Sequence, residues 1–408
     1  MSEAPLTVFA DSNFEHIHIG AGSFGLGMVV DICHGDAGLR TAVVARESSR
    51  DYHRILQTKG AFSVLFDSNQ DRRRTLKPSF HYYNPDNSQS VIQLLIGAKV
   101  SLITTAVRRE RLDDVGRVLA TALQEREMRG HHEPLCIIAC ENLPDNSAQL
   151  RRQVELHLPQ EKAQHLLQEV FFCNTLVDRI CAEISHATGS VEIPVESYHS
   201  WIVRSPAKEI PILELLAAKQ FITLARTDAE FSLFETQKYW CMNGVHLATA
   251  AYAYNNFKQL RYVSQALANP DIASKVRALQ LELLAAFLKR VSDLGMQEKF
   301  SAEMARRYNE RVFQRLAQSR KDTIDRILKL EENTSDAVLE ILRRIERLVE
   351  PQCAIMAHRK GLVNPRYETI ALHQISFEAN ERLELDDALQ QVILALRTFA
   401  TLPLRTSS

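Results

Sequence analysis

Hydrophobic and polar positions follow two regimes along the chain. In the first half, short continuous apolar runs recur: His16–Ile19 (HIHI), Thr41–Ala45 (TAVVA), Val100–Thr104 (VSLIT) and Leu135–Cys140 (LCIIAC). Helical stretches, Phe24–His34 and Arg109–Arg129, lie between them. Unbroken apolar strands separated by helices predict a mainly parallel sheet covered on both faces. The segment Ala61–Asn84 (FSVLF, then FHYYN) breaks the rhythm and reads as a hairpin or excursion, and Ser190–Val203 is a last extended stretch. From about Glu230 onward glycine and proline become rare. Apolar residues there recur at three- and four-residue steps, as in Val276–Leu294 and Ala337–Val349. Glu/Lys/Arg-rich helices of this kind are solvated on one face and packed on the other. The expected architecture is an α/β domain over residues 1–205 followed by an all-helical domain over 206–408.

The first apolar run ends in Gly20-Ala-Gly22-Ser23-Phe24-Gly25, which opens the first helix. In that strand–turn–helix setting Gly20 permits a tight turn and Gly22 lets the backbone approach a pyrophosphate. Gly25 allows close helix–strand packing, and the free N–H groups of the first turn, at Ser23 and Phe24, face the phosphates. The alternative is a glycine-rich turn that serves packing alone. Dinucleotide binding makes the α/β domain Rossmann-type. At the end of the second strand, where an acidic residue binds the ribose in NAD-preferring sites, this chain has Arg46, twenty-one residues after Gly25. A guanidinium can clamp a 2′-phosphate, so Arg46 favours NADP over NAD. A register one residue later puts Glu47 there and restores NAD.

Composition narrows the class further. With 45% hydrophobic and 24% charged residues the chain can bury a large core, which excludes intrinsic disorder as its main character. Lys+Arg 49 against Asp+Glu 50 gives no global positive field for nucleic acid or an anionic membrane. No run of eighteen apolar residues offers a span. The N-terminus has acids where a secretory signal has a basic region, and seven cysteines, an odd number without paired short spacings, suit a reducing compartment. The expectation is a cytoplasmic protein without a nucleic-acid or membrane partner. HExxH and CxxC are absent, and Cys136 and Cys140 have no further Cys/His pair nearby to complete a zinc site. The pair Tyr254/Lys258 has the spacing of short-chain dehydrogenases but lies too late in the chain for that fold.

A third cluster is Lys238-Tyr-Trp-Cys-Met-Asn243-Gly-Val-His246. On an α-helix its three polar side chains fall within about 140° at ~100° per residue, set among apolar neighbours. Buried polar groups require partners, and a substrate is one such partner. A surface lysine, a capping asparagine and a satisfied core histidine account for the spacing equally well.

Lys-x4-Asn-x2-His resembles the signature of the polyol-specific long-chain dehydrogenases, the mannitol dehydrogenase family. Further stretches resemble that family in the same order: HIGAGSFGLG (18–27), TTAV (104–107), ACENLPDN (139–146), Asn174 in FFCNTLVDRI, and VESYHSWIV (195–203). The resemblance runs from residue 16 to about 256. It implies a Rossmann-type domain plus a helical domain, a nicotinamide cofactor and metal-independent catalysis. Lys238 would be the general base, its pKa lowered by burial from ~10.4. Asn243 and Asn174 would donate to the oxygen that gains negative charge, and His246 would hold the reacting oxygen or a neighbouring hydroxyl. Thr105, Ala106 and Asn142 fall in its cofactor-binding motifs. Glu196 is assigned to substrate or to structure, and Arg326, in DTIDRILKL, to substrate. Asp178 and Arg179 read as a locally partnered pair.

The phosphate-handling members of the family are compact, like this chain, and the free-polyol enzymes are longer. The resemblance therefore implies interconversion of a hexitol phosphate and a ketose phosphate, with mannitol 1-phosphate and fructose 6-phosphate as first candidates. Arg204, Lys208 and the later arginines are the cations for the phosphate. Within the family the rival is a free polyol or hexuronate; outside it, a non-catalytic NADP-binding sensor.

Overall fold

The computed structural model describes residues 13–328, apart from 67–71, 84–87, 188–189, 258 and 320–321. The helical expectation at Ala337–Val349 lies outside these residues, as does Lys258.

Thirteen strands are described: β1 His16–Ile19, β2 Thr41–Arg46, β3 Phe62–Phe66, β4 Arg73–Leu76, β5 Ser79–Tyr83, β6 Leu102–Thr105, β7 Leu135–Ala139, β8 Val170–Phe172, β9 Thr175–Asp178, β10 Ser185–Ala187, β11 Ser190–Val195, β12 Ser200–Arg204 and β13 Thr223–Ala225. The main sheet has six strands in the order β5-β2-β1-β6-β7-β8, and every adjacent pair is parallel. This is the Rossmann order, with its reversal of direction between β1 and β6. The expected parallel sheet is present. Ala61–Asn84 departs in part from its reading: β3 and β4 form the antiparallel hairpin, but β5 joins the main sheet beside β2. The aromatic run FHYY lacks the continuous aliphatic character of a central strand, which suits an edge position.

Alternation along β1 divides the core. Ile17 and Ile19 face a cluster with Val44, Ile103, Ile137 and the helix Leu112–Met128. His16 and His18 point the other way, fully buried, and share the Thr104 hydroxyl at 2.7 Å each. On that side a widened helix, Gly25–Asp36, packs Met28, Val29 and Ile32 against Leu102, Cys136 and Ile138. Inside it, the buried Asp31 carboxylate meets Arg179 at 2.8 Å and Arg74 at 2.9 Å. Arg179 also donates to the Gly27 and Glu196 carbonyls. Arg179 thus has a structural role, although the partner described for it is 148 residues away in sequence, at Asp31.

Two smaller sheets complete this unit: β10-β11-β3-β4 and β13-β12-β9. The chain divides into two compact units, Met1–Phe231 and Ser232–Ser408. The division falls later than residue 205 because β13 pairs with β12 and holds the helix Pro211–Ala218 in the first unit.

The described part of the second unit is helical: Val245–Asn256, Val263–Ala268, Pro270–Asp293, Ala302–Gln318 and Ile324–Leu328 follow the widened stretch Gln237–Gly244. Asn269 caps its long helix by accepting from the N–H groups of Asp271 and Ile272, with Pro270 at the first position. Gln280 and Asn309 donate to each other's backbone carbonyls, at 3.0 and 2.9 Å, and tie the two longest helices. No described helix is long and apolar enough to cross a membrane.

Candidate active site

The glycine turn leaves β1 at the point where the sheet reverses direction, and Thr105–Ala106 leave the adjacent β6. Open α/β sheets bind ligands in such a crevice. Gly20 has φ +133°, and a Cβ built there would overlap the Ala106 carbonyl oxygen. Gly25 is equally tight, since a Cβ would overlap the His18 imidazole. Gly22 differs: a Cβ there would meet nothing within 4 Å. Two glycines close the turn onto the protein and the middle one faces open space, which is what a pyrophosphate cradle requires. Ser23 and Phe24 form the first turn, and Phe24 packs on the core.

Arg46 ends β2, and its guanidinium is bound to Asp114 of the helix Leu112–Met128. Arg117 also meets Asp114, at 3.0 Å, and Arg111 at 3.8 Å. Three guanidiniums thus share the Asp114 carboxylate at this tip. Asp114 is a participant that sequence reading missed, because charged helix positions carry no mark of a partner 68 residues away.

At the carboxyl ends of β6 and β7, the Thr105 hydroxyl donates to Glu141 Oε1 at 2.7 Å, and the Val107 N–H to the same oxygen at 2.9 Å. Glu141 Oε2 is buried without a hydrogen-bond partner. Burial pushes this carboxyl above the usual range, and the bonds from Val107 and Thr105 offset part of the shift. Sequence reading passed over Glu141 in favour of its exposed neighbour Asn142. The available signal was an acidic residue directly after an apolar strand. Asn146 is fully engaged: its amide donates to the Glu141 and Thr175 carbonyls and accepts from the Ser147 and Thr175 N–H groups.

Asn174 follows β8. Its side-chain oxygen accepts from the Ala148 N–H at 3.0 Å, and its nitrogen donates one hydrogen to Asp145 at 3.1 Å. Glu196 accepts from the Ile180 N–H at 2.5 Å, a tie within the fold. Arg204 is held by Asp228 at 2.7 Å, and Lys208 by Glu169. Among the described residues, no group of three or more His, Cys, Asp or Glu is placed to hold a metal ion.

In the second unit, the widened stretch Gln237–Gly244 has hydrogen bonds that reach five residues along the chain, and the α-helix Val245–Asn256 continues it. Such widening is rare and concentrates at functional positions. Lys238 and Asn243 are five apart. An α-helix separates them by about 140°, whereas the wider turn of a helix bonded five residues along brings them closer to one face. Lys238 is buried, 9% exposed, with its ammonium 5.6 Å from the centre of the Tyr239 ring. Asn243 and His246 are half-buried. His246 Nε2 lies 2.6 Å from Asp322 Oδ2, and the second oxygen of that carboxylate binds Arg326.

Residues 15–215 match the family described as the mannitol dehydrogenase Rossmann domain. The chain carries a Rossmann domain of the mannitol dehydrogenase family. Its motifs and fold agree with that assignment, and the family is one of oxidoreductases. Among curated relatives, mannitol-1-phosphate 5-dehydrogenase of Lactococcus lactis subsp. lactis (strain IL1403) is 25% identical over 315 residues, 77% of this chain and 76% of the relative. The Streptococcus pneumoniae serotype 4 enzyme of the same name is 24% identical over 274 residues, 67% of this chain and 68% of its own. Among solved structures, Pseudomonas fluorescens mannitol 2-dehydrogenase, in a ternary complex with NAD and D-mannitol, superimposes with TM-score 0.61 at 16% identity. That match covers 97% of this chain and 93% of the other. A substrate-free D-sorbitol dehydrogenase gives TM-score 0.59 at 14% identity, covering 94% and 92%.

Proposed function

We propose that this protein, as a member of the mannitol dehydrogenase family, interconverts a hexitol phosphate and its ketose phosphate, with mannitol 1-phosphate and fructose 6-phosphate as the first pair. The observation that carries the reading is the placement of Lys238, Asn243 and His246 along one helix, with the lysine buried at a widened turn. The phosphorylated substrate is supported by the names of the curated relatives.

The nicotinamide cofactor, when bound, accepts or donates the hydride. The residues of the chain do the rest. Lys238 takes the alcohol proton during oxidation and returns it during reduction. Asn243 and Asn174 supply amide hydrogens to the oxygen that gains negative charge. For Asn174 this is the hydrogen not given to Asp145, and its anchorage on Ala148 pre-orients the amide. His246 holds a substrate hydroxyl, and Arg326, 46% exposed at its side chain, is the cation on its side of the substrate. The glycine turn, Thr105, Ala106 and Asn142 line the cofactor cleft. The guanidinium of Arg46 at the tip of β2, one of three that share Asp114, supports NADP over NAD, because a 2′-phosphate can take the place of Asp114 as its counter-charge.

A free polyol is the second reading, favoured by the engagement of Arg204 and Lys208 with carboxylates. A panel of fructose 6-phosphate, fructose and fructuronate, followed by nicotinamide absorbance with both cofactors, separates the two. Charge-assisted phosphate contacts at ~1.5–3 kcal/mol give fructose 6-phosphate an advantage of roughly 10- to 150-fold in kcat/KM. Equal or better use of fructose or fructuronate would overturn the phosphate reading, and no turnover of any member would overturn the activity.

A further inference from the structure

Asp322 completes the environment of His246 in a way that the three-residue signature does not contain. Its carboxylate is fully buried, and one oxygen lies 2.6 Å from His246 Nε2. The other oxygen accepts from Arg326. The backbone around Asp322 is pinned as firmly. Its carbonyl accepts from the Val263 N–H at 3.0 Å, the Ile324 N–H donates to the Arg261 carbonyl at 2.9 Å, and Tyr262 and Thr323 form an antiparallel bridge. Burial pushes the Asp322 carboxyl up, but the attraction and hydrogen bonds of His246 and Arg326 outweigh it and hold the group well below the usual carboxylate range. It is an acceptor throughout the neutral range.

We infer that Asp322 is the positioning residue of His246, holding the ring with Nε2–H towards itself so that Nδ1 is the nitrogen presented to a substrate hydroxyl. The inference rests on the reading of His246 as a substrate-binding group. A carboxylate has only lone pairs to offer, so Nε2 carries the hydrogen, and in the neutral ring Nδ1 is left as an acceptor. In that neutral form His246 receives a hydrogen bond from an alcohol O–H. The carbonyl of a ketose lacks that hydrogen and is left to the asparagine donors. Arg326 acts on the same dyad by fixing the second carboxylate oxygen.

Asp322→Asn keeps the shape and can turn an N–H₂ towards Nε2, which forces the other tautomer. The expected result is a loss of at least about tenfold in kcat/KM for the sugar substrate, with the ~10⁴-fold loss that follows when a catalytic histidine is held in the wrong tautomer as the ceiling. Cofactor affinity, measured by binding in the absence of substrate, should hold. The decisive form is a double-mutant cycle with His246→Ala, in which Asp322→Asn costs nothing further once the histidine is gone. A merely structural aspartate would cost the same in both backgrounds, and that result would overturn the inference. So would near-normal kcat/KM for Asp322→Asn beside an impaired His246→Ala. An unimpaired His246→Ala would instead overturn the reading of His246, and the inference with it. Should Asp322→Asn fail to fold, the wild-type protein labelled with ¹⁵N-histidine answers directly. The ring signal absent from His246→Ala must show the Nε2-protonated tautomer, and an Nδ1-protonated ring overturns the inference.

Discussion

The three glycines of the dinucleotide turn look equivalent in sequence, yet their surroundings predict opposite consequences for the same substitution. Gly20→Ala forces a side chain onto a backbone at φ +133° and drives its Cβ into the Ala106 carbonyl, which is main chain and cannot swing aside. The backbone conformation costs ~1–3 kcal/mol and the overlap a further ~1–3 kcal/mol. The sum, about 2–6 kcal/mol, corresponds to a fall in Tm on the order of 10 °C for a unit of this size. Gly22→Ala meets no atom within 4 Å and no positive φ, so the folded state should change by less than ~1 kcal/mol. Its methyl group instead enters the open space that the proposed pyrophosphate site requires. Losing one N–H contact to a charged oxygen, ~1.5–3 kcal/mol, weakens dinucleotide binding roughly 10- to 150-fold. Thermal unfolding without ligand, combined with titration of NADPH and NADH by fluorescence, reads both effects on the same samples. Gly20→Ala should be less stable, and Gly22→Ala as stable as wild type but deficient in binding. If Gly22→Ala bound cofactor normally, or unfolded as early as Gly20→Ala, the assignment of the turn would be wrong.

Other perturbations test other parts of the structure. Arg46→Asp removes the guanidinium and sets a second carboxylate beside Asp114, so the ratio of kcat/KM for NADP(H) over NAD(H) should fall by at least about tenfold; an unchanged ratio would mean that Arg46 does not meet the adenosine ribose. Asp31→Ala leaves the Arg179 guanidinium buried without its carboxylate and should cost ~3–5 kcal/mol in denaturant unfolding; a loss below ~1 kcal/mol would show the pair to be dispensable. Burial lowers the pKa of His18 from 6.5 to about 3 and lowers that of His16 as well, so between these values the unfolded chain binds more protons than the folded one. Stability should therefore fall as pH falls through that window, by about 2 kcal/mol from His18 alone near pH 5, and equal urea midpoints at about pH 7 and pH 5 would contradict this.

Residues that answer to local chemistry were legible in the sequence. Unbroken apolar runs marked β1, β2, β6 and β7 because both faces of a parallel sheet are covered. The glycine turn was legible because its spacing follows from backbone sterics. β5 was less so, since an edge strand rich in aromatics lacks the pattern of a central one. The first unit runs on to Phe231, and β13, the strand that follows β12, pairs with it inside that unit although its three residues carry no pattern of their own. The widening of the helix at Lys238 left no trace in the hydrophobic period, although it changes which residues share a face. Partners at long range stayed hidden for a common reason: Asp114 for Arg46, Asp31 for Arg179 and Asp322 for His246 are charges whose pairing tertiary structure alone decides.

The central claim is that Lys238 handles the substrate proton in a nicotinamide-dependent polyol phosphate oxidoreduction. Its most direct test is the turnover of Lys238→Ala with mannitol 1-phosphate and NADP, beside the dinucleotide affinity of the same protein measured by fluorescence. A positioned general base contributes ~10²–10⁴-fold to the rate. Turnover should fall by at least that much while dinucleotide affinity stays within about twofold of wild type. Near-normal turnover in Lys238→Ala would contradict the account.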